Sequence, residues 1–328
     1  MLRVLITGIT GFAGSHLAEH LLSRGDEVHG LAHERPPFTN LAAIQERVRI
    51  HEGDITSLED IQGALAGSRA DAVVHLAGIA VPTIASKDPV AAVRVNVLGT
   101  ATVLTALEQH PRTRLVLASS ADVYGAPDRV PVDEDAPVRP TNVYAATKVA
   151  AEALTRELAA RHGAPFVILR PANQNGPRQH PGLAASAFAK QIAEAEAGIA
   201  EPVVRHGRLD AERDFLDVRD MARAYAAALG LNEGGTFNVG TARAVAIAEI
   251  LDTLIALARI PVRAELDPSR VRGGEPTRIA LDARRFRQKT DWSPRIALAD
   301  SLRDTLDHWR ARVAGGSLLT PTHERAKP

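Results

Sequence analysis

Tyr144 and Lys148 lie four residues apart in Tyr144-Ala145-Ala146-Thr147-Lys148, and Ser120 precedes that tyrosine by 24 residues. Residues four apart on a helix share a face, so the phenol and the ammonium are expected to project together. What such a pair can do is move a proton to or from an oxygen whose charge changes during a reaction. A free phenol ionises near pH 10, and each unit by which a nearby cation lowers that value is worth about 1.4 kcal/mol. Lys148 is therefore expected to tune Tyr144 toward use near neutral pH. Ser120, at the carboxyl end of a predicted strand, adds a hydroxyl that can hydrogen-bond the same oxygen. A Tyr-x-x-x-Lys pattern by itself occurs by chance in many chains, so its weight depends on the elements that position it.

The chain opens with such an element. Leu2, Val4, Leu5 and Ile6 form an aliphatic run suited to a strand buried on both faces, and Gly8 ends it. Phe12, Leu17, Leu21 and Leu22 then recur at helical spacing, which predicts strand, glycine turn and helix. In Gly8-x-x-Gly11-x-x-Gly14, Gly8 allows the tight turn, Gly11 keeps a Cβ out of the path of a pyrophosphate, and Gly14 lets helix approach strand. The helix N-terminus offers N–H groups and partial positive charge to phosphates, making Gly8, Gly11, Phe12 and Gly14 candidate cofactor contacts.

A second strand, Asp26 to Leu31, ends where a dinucleotide fold places the residue that meets the adenosine ribose. An Asp or Glu there selects NAD, whereas this chain has Ala32, followed by His33, Glu34 and Arg35. His33 and Arg35 can pair with a 2′-phosphate, which favours NADP, while Glu34 keeps NAD open. Val48 to His51, Ala72 to Leu76 and Leu115 to Ala118 read as further strands. Leu76, Ala77 and Gly78 leave room for ribose and phosphates at a strand end. Asp88 to Glu108 reads as one long helix. In the helix from Tyr144 to Arg161, Ala146, Val149, Ala150, Ala153, Leu154 and Leu158 are read as the inward stripe, with Ala145, Ala151 and Ala159 on a second, small-residue face.

The strand and helix alternation predicts an α/β fold: a Rossmann-type, doubly wound parallel sheet of seven strands over 1–170, with segments such as 214–240 able to return to it. After the strand Pro165 to Leu169 the alternation breaks, and 171–313 is expected to form a smaller carboxyl-terminal substrate-binding lobe. The polar stretch 314–328 reads as a disordered tail.

Composition narrows the partners. The 39 basic and 39 acidic residues cancel, so no electrostatic footprint for nucleic acid or an anionic membrane is expected, and a small molecule is the expected partner. The absence of cysteine excludes disulfides, thiolate catalysis and cysteine-ligated metals. The 12 histidines are scattered over different elements with no HExxH pair, so no metal is expected. The first strand starts at once, with no leader expected before it, and no apolar run is expected to approach the roughly 18 residues that span a bilayer. A cytoplasmic protein is the expectation.

The motifs, taken in order, resemble one family. The glycine turn, Gly53-Asp54-Ile55, Asn96, Ser119-Ser120-x-x-x-Tyr124-Gly125, Tyr144-x-x-x-Lys148 and Arg170-Pro171-x-Asn173 resemble the extended short-chain dehydrogenases/reductases, the epimerase/dehydratase branch that modifies nucleotide sugars. Arg213-Asp214-Phe215-x-Asp217-Val218-Arg219-Asp220 and Asp267-Pro268-x-x-x-Arg272-x-x-Glu275 look like the GDP-6-deoxy-D-mannose (GDP-4-keto-6-deoxymannose) reductase group within it.

The resemblance implies that Ser120, Tyr144 and Lys148 are catalytic, Tyr144 and Lys148 also meeting the cofactor. It implies that Asp54 and Ile55 stand against the adenine, an N-cap being the alternative for Asp54, and that Asn96 lies near the active site, where a structural role is equally open. Asp122, Asn173, Arg178, Arg213, Arg272 and Glu275 become substrate candidates. Arg213 and Arg272 would form a diphosphate clamp, since the guanidinium fork suits phosphate oxygens, with surface ion pairs as the plainer alternative.

The implied activity is NAD(P)H-dependent reduction of a GDP-4-keto-6-deoxyhexose at C4, with a 4-epimerase or 4,6-dehydratase as alternatives. Asp122 stands where the dehydratases carry a glutamate, one methylene longer. Ala172, Gln174, Asn175 and Arg178 depart from the reductase pattern and leave the sugar open. A noncatalytic NADP-binding sensor or scaffold is the alternative of a different class. The resemblance also implies a homodimer built on a four-helix bundle.

Overall fold

The computed structural model describes residues 1–163, 165–271 and 278–316; the expected tail lies outside them from residue 317 onward. The chain divides into two compact units, Met1–Gln174 with Ala211–Val245 and Gly274–Ile296, and Asn175–Asp210 with Ala246–Gly273 and Ala297–Pro328. The first unit thus takes back more of the later chain than 214–240.

The first unit is built on a seven-stranded sheet. Strands β1 (Arg3–Thr7), β2 (Glu27–Ala32), β3 (Arg49–Glu52), β4 (Ala72–His75), β5 (Arg114–Ala118) and β6 (Phe166–Pro171) are joined by the edge strand Gly235–Val239. The order is edge strand, β6, β5, β4, β1, β2, β3, and the pairings are parallel, with Val4 opposite both Val28 and Ala72. Direction of winding reverses at β1 and β4, the place where such sheets open a crevice at their carboxyl ends. Alternating residues feed two cores. Val4, Ile6, Val74 and Val116 pack on one face with Leu17 and Leu21 of the helix Phe12–Ser23 and with Met221 and Tyr225. Leu5, Val73 and Leu115 pack on the other with Ile61, Leu65, Val103 and Leu107. Burial on both faces explains why these strands read as continuous aliphatic runs.

Three expectations need correction. The stretch from Asp88 to Glu108 is not a uniform helix. Asp88 caps Pro89–Val93 by accepting from Ala91 N–H at 2.9 Å, a π turn follows over Arg94–Leu98, and α-geometry resumes over Gly99–Leu107. The wider turn inserts an extra residue per bonded ring, which re-aims side chains within the helix. Secondly, Pro89–Leu107 spans 19 residues with a mean hydropathy of 1.6, so by length and composition an apolar run capable of crossing a membrane is present. Half of that window is buried inside the protein, with Val103, Leu104 and Leu107 in the core, so the same composition serves globular packing. Thirdly, the expected inward stripe of the helix Val143–His162 holds only in part: Val149, Leu154 and Leu158 are half-buried and pack against the cores. Ala145, Ala151 and Ala159 are its buried face, while Ala146 and Ala153 face outward. An alanine-rich helix has little amphipathic contrast, and small residues win the inner positions because there the helix lies close to the sheet through Ala151, Leu117 and Ile168.

The second unit has the helices Ala184–Glu196, Ile247–Ala256 and Leu298–Ala314, with strands Val203–His206 and Arg263–Leu266 paired in parallel. Arg310 ties two of these helices together, donating from Nε and Nη2 to the two carboxylate oxygens of Glu196 at 2.7 Å each. Trp309 Nε1 donates to Ser186 Oγ at 2.9 Å, and Asn175 Nδ2 to Ser301 Oγ at 2.7 Å.

Candidate active site

The glycine turn has the shape of a phosphate cradle. Gly8 has φ +72°, and a Cβ there would lie 2.8 Å from the backbone nitrogen of Ala77. At Gly14 a Cβ would lie 2.2 Å from the Gly8 carbonyl oxygen, so that position admits only glycine. Gly11 occupies the N-cap of the Phe12–Ser23 helix without a side-chain cap, leaving backbone N–H groups for a ligand rather than for the chain. At the neighbouring strand end a Cβ on Gly78 would lie 2.9 Å from Asn96 Oδ1 and 3.8 Å from Lys148 Nζ. The residues thus fit a dinucleotide: an uncapped helix terminus, a turn with no room for side chains, and β4 opening beside it.

At the ribose position β2 ends at Ala32, and His33 and Arg35 are exposed. Glu34 is not a loose neighbour: its carboxylate accepts from Thr10 Oγ1 at 2.6 Å, tying it to the glycine turn. Asp54 is not the N-cap of the next helix, because Ser57 holds that role. Burial pushes the Asp54 carboxyl up, but bonds from the Thr56 N–H and hydroxyl, with the charges of His33 and Arg94, hold it below the usual range. Ile55 is buried and packs against Gly99.

Asn96 is an organiser. It is 2% exposed; its Oδ1 accepts from Ile79 N–H at 2.7 Å, and its Nδ2 donates to Ile79 O at 3.1 Å and Thr147 Oγ1 at 2.9 Å. Thr147 in turn donates to Tyr144 O at 2.7 Å. Its amide therefore links the Gly78–Ile79 loop to the helix of Tyr144.

Ser120, Tyr144, Lys148 and Asp122 come together at the carboxyl end of β5. Ser120 caps the 3-10 turn Ala121–Tyr124, its Oγ accepting from Asp122 N–H at 3.2 Å, and Asn142 caps the tyrosine helix by accepting from Ala145 N–H at 2.8 Å. Lys148 Nζ donates to Ala118 O at 2.7 Å and stands 5.9 Å from the Tyr144 ring centre. The expected tuning of the phenol is not what this arrangement produces. Burial, and then the negative charge of Asp122, raise the Tyr144 pKa, with a hydrogen bond from Ser120 opposing them. Lys148 is itself pushed down to about 8 by burial, against the attraction of Glu152.

The remaining substrate candidates are spread out. Asn173 belongs to the first unit and Arg178 to the second, where Arg178 has φ +72°. Arg213 is buried in the first unit, its Nη1 donating to Glu212 O at 2.9 Å; Arg272 and Glu275 lie outside the described residues. Much of the Arg213–Asp220 motif does structural work. Asp214 accepts from Thr241 and Leu281, Asp217 caps the helix Val218–Ala228, and Asp220 accepts from Arg295 N–H and Ile296 N–H at 2.7 and 2.9 Å.

Sequence reasoning did not find the roles of four buried groups. His75 is 2% exposed between Thr7 Oγ1 at 2.7 Å and Thr100 Oγ1 at 3.1 Å, and burial, helped by Lys148, pushes it down to about 3. Tyr225 hydrogen-bonds Gln174, and burial raises its pKa. Glu152 and Arg170 form a pair 1% and 3% exposed. Arg170 stands in the Arg170-Pro171-x-Asn173 motif and Glu152 two helical turns beyond Tyr144, but neither position shows the pairing between them. Among the described residues no cluster of three His, Asp or Glu could hold a metal.

The profile of the GDP-mannose 4,6 dehydratase family matches residues 5–305. GDP-6-deoxy-D-mannose reductase of Pseudomonas aeruginosa is 34% identical over 315 residues, covering 95% of this chain and 98% of the relative. Among solved structures, RMD of Pseudomonas aeruginosa complexed with NADPH superposes with a TM-score of 0.82 at 29% identity, covering 95% of this chain and 100% of the other. The UDP-glucose 4-epimerase of Thermus thermophilus in complex with NAD superposes with a TM-score of 0.83 at 31% identity, covering 94% and 99%. With its glycine cradle and its Ser120, Tyr144 and Lys148 at one sheet edge, the chain belongs to the GDP-mannose 4,6 dehydratase family, extended short-chain dehydrogenases/reductases that act as NAD(P)-dependent nucleotide-sugar enzymes.

Proposed function

We propose that this protein reduces a GDP-4-keto-6-deoxyhexose at C4. The observation that carries the reading is a complete Ser120, Tyr144 and Lys148 constellation in a chain 34% identical to a GDP-6-deoxy-D-mannose reductase along 95% of its length. A nicotinamide cofactor, when bound, supplies the hydride. Gly8, Gly11 and Gly14 hold its pyrophosphate, and Tyr144 donates the proton to the developing C4 alkoxide. A phenol held protonated by burial and by Asp122 suits donation rather than abstraction. Ser120 hydrogen-bonds the same oxygen, Lys148 meets the nicotinamide ribose, and Asn173, Arg178, Arg213, Arg272 and Glu275 supply the sugar-nucleotide contacts. Asp122 is one methylene shorter than the dehydratases' glutamate, and a shortfall of an Ångström can cost about a hundredfold, which disfavours elimination of the C6 hydroxyl.

NADP is the preferred cofactor on this reading, from Ala32 at the end of β2 and the exposed His33 and Arg35. Titration of the apoprotein with both dinucleotides tests it; tighter NAD binding would assign the pocket to Glu34. The protein acts as a homodimer through the outer faces of Pro89–Leu107 and Val143–His162.

Product analysis with NADPH and GDP-4-keto-6-deoxy-mannose, GDP-mannose or UDP-glucose is the decisive assay. A reduced 6-deoxyhexose from the keto sugar is expected. Conversion of UDP-glucose to its C4 epimer, or loss of water from GDP-mannose, would replace the reading with the epimerase or the dehydratase.

A further inference from the structure

Below the reactive groups lies a buried ion pair for which the proposed chemistry has no use. Glu152, 1% exposed, stands eight residues after Tyr144 on the same helix. Its Oε1 accepts from Ser119 Oγ at 2.5 Å and Arg170 Nε at 2.8 Å, and its Oε2 from Arg170 Nη2 at 2.7 Å and Arg156 Nη2 at 2.6 Å. Arg170 continues outward. Its Nη1 donates to the Tyr124 hydroxyl at 2.9 Å, its Cζ lies 4.8 Å from that ring's centre, and the Tyr124 hydroxyl donates to Asn238 Oδ1 at 2.7 Å. Ser119 and Tyr124 are the two ends of the segment that contains Ser120 and Asp122. The Ser119–Tyr124 segment is thus tied at both ends, to one carboxylate and one guanidinium.

We propose that Glu152, through its bidentate pair with Arg170, is a positioning residue that fixes the Ser120–Asp122 turn against the helix carrying Tyr144 and Lys148. Replacing a buried ion pair by apolar residues of similar size is often neutral or stabilising, so stability alone gives weak reason for two charges here. Geometry gives a stronger one. The carboxylate is on the tyrosine helix, the guanidinium on β6, and the tied residues flank Ser120, so the pair sets the distance between the two halves of the proton-transfer site. Reacting groups held about an Ångström out of place cost on the order of a hundredfold in rate. The effect on turnover rests on the reductase reading, whereas the fixing of the turn does not.

The test uses the full-length holoenzyme. Ser119→Ala removes one tie without unpairing either charge, Ser119→Thr restores the hydroxyl, and the double variant Glu152→Met with Arg170→Met removes both charges together. Expected for Ser119→Ala are a kcat lowered about tenfold, with KM for the keto sugar and cofactor affinity within twofold of wild type, and recovery of most of kcat in Ser119→Thr. The double variant is expected to lose about a hundredfold in kcat. Amide hydrogen exchange across 120–125, read without any sugar, is expected to speed at least tenfold in Ser119→Ala and in the double variant if it folds. Unchanged exchange and kcat in Ser119→Ala would overturn the proposal, whatever the double variant does. Should wild type fail to reduce the keto sugar, the functional reading falls and exchange alone decides the clamp.

Discussion

A tyrosine buried to 8% exposure beside an aspartate is poorly placed to ionise, and that fact shapes what each residue of the site can do. The phenol keeps its proton across the working range, so its natural step is donation to an oxygen that becomes more basic as hydride arrives. Tyr144→Phe removes the proton and preserves the ring. Turnover is expected to fall about 10²- to 10⁴-fold with dinucleotide affinity, measured by fluorescence titration, nearly unchanged. Near-wild-type reduction in that variant would show that Tyr144 is not the proton donor. Lys148 carries the pH dependence. Burial holds it near 8, so in the free enzyme the ammonium is present below that value and is lost as pH rises through it. The plot of log kcat/KM against pH is expected to bend downward at about 8. In Lys148→Arg, whose guanidinium stays charged, the residual activity should show no bend there. A bend in the same place in both proteins would assign it to another group.

Among the elements, β4 and the helix Gly99–Leu107 are joined by His75, and this buried imidazole makes the sheet acid-sensitive. Its two hydroxyl neighbours define the proton arrangement: Thr7 Oγ1 already accepts from Leu76 N–H and Ala77 N–H, and Thr100 Oγ1 donates to Asn96 O at 2.6 Å. The ring therefore accepts at Nδ1 from Thr7 and donates from Nε2 to Thr100, which requires the neutral form. Because the native pKa is depressed to about 3, the unfolded chain takes up the proton first as pH falls. Stability from this group is complete above about pH 6.5 and is lost below it at about 1.4 kcal/mol per unit until pH nears the native value. Urea unfolding at several pH values should show a shallower acid slope for His75→Gln than for wild type; parallel slopes would sink the assignment. This network also marks what could be read from the sequence. The strands and the glycine turn were legible because burial on both faces and the demand for no Cβ each leave a local signature. The pairing of Tyr144 with Lys148 was legible for the same kind of reason, a helical repeat. The bonding of His75, the partner of Arg170 and the burial of Ala145, Ala151 and Ala159 were not, because their meaning comes from residues far away in sequence: Thr100 for His75, Glu152 for Arg170, and the closeness of the sheet for the alanines. The raised pKa of Tyr144 belongs with them, since spacing tells that an ammonium is near but not how much water has been removed.

For the whole molecule, the outward apolar surface of the first unit is the feature that single elements do not explain. Val90, Val93 and Leu98 are 78%, 50% and 50% exposed on one run of helix. On the neighbouring helix Ala146 and Ala153 are exposed. Small residues between larger ones let helices approach closely, and two such helices facing their own copy across a two-fold axis would close a bundle of four. Wild type is therefore expected to sediment as a dimer at micromolar concentration. Leu98→Lys would put an unpaired charge at each symmetry-related position of that interface, where burial without a partner is costly. The dimer dissociation constant is expected to rise by at least a hundredfold, about 2.7 kcal/mol, while the cofactor still binds, since the glycine cradle lies on other elements. A wild-type protein that sediments as a monomer, or a Leu98→Lys protein that remains as tightly dimeric as wild type, would remove this face from the interface. Transfer of wild type from solution onto lipid vesicles, abolished by Leu98→Lys, would instead give the apolar run of Pro89–Leu107 a membrane to meet.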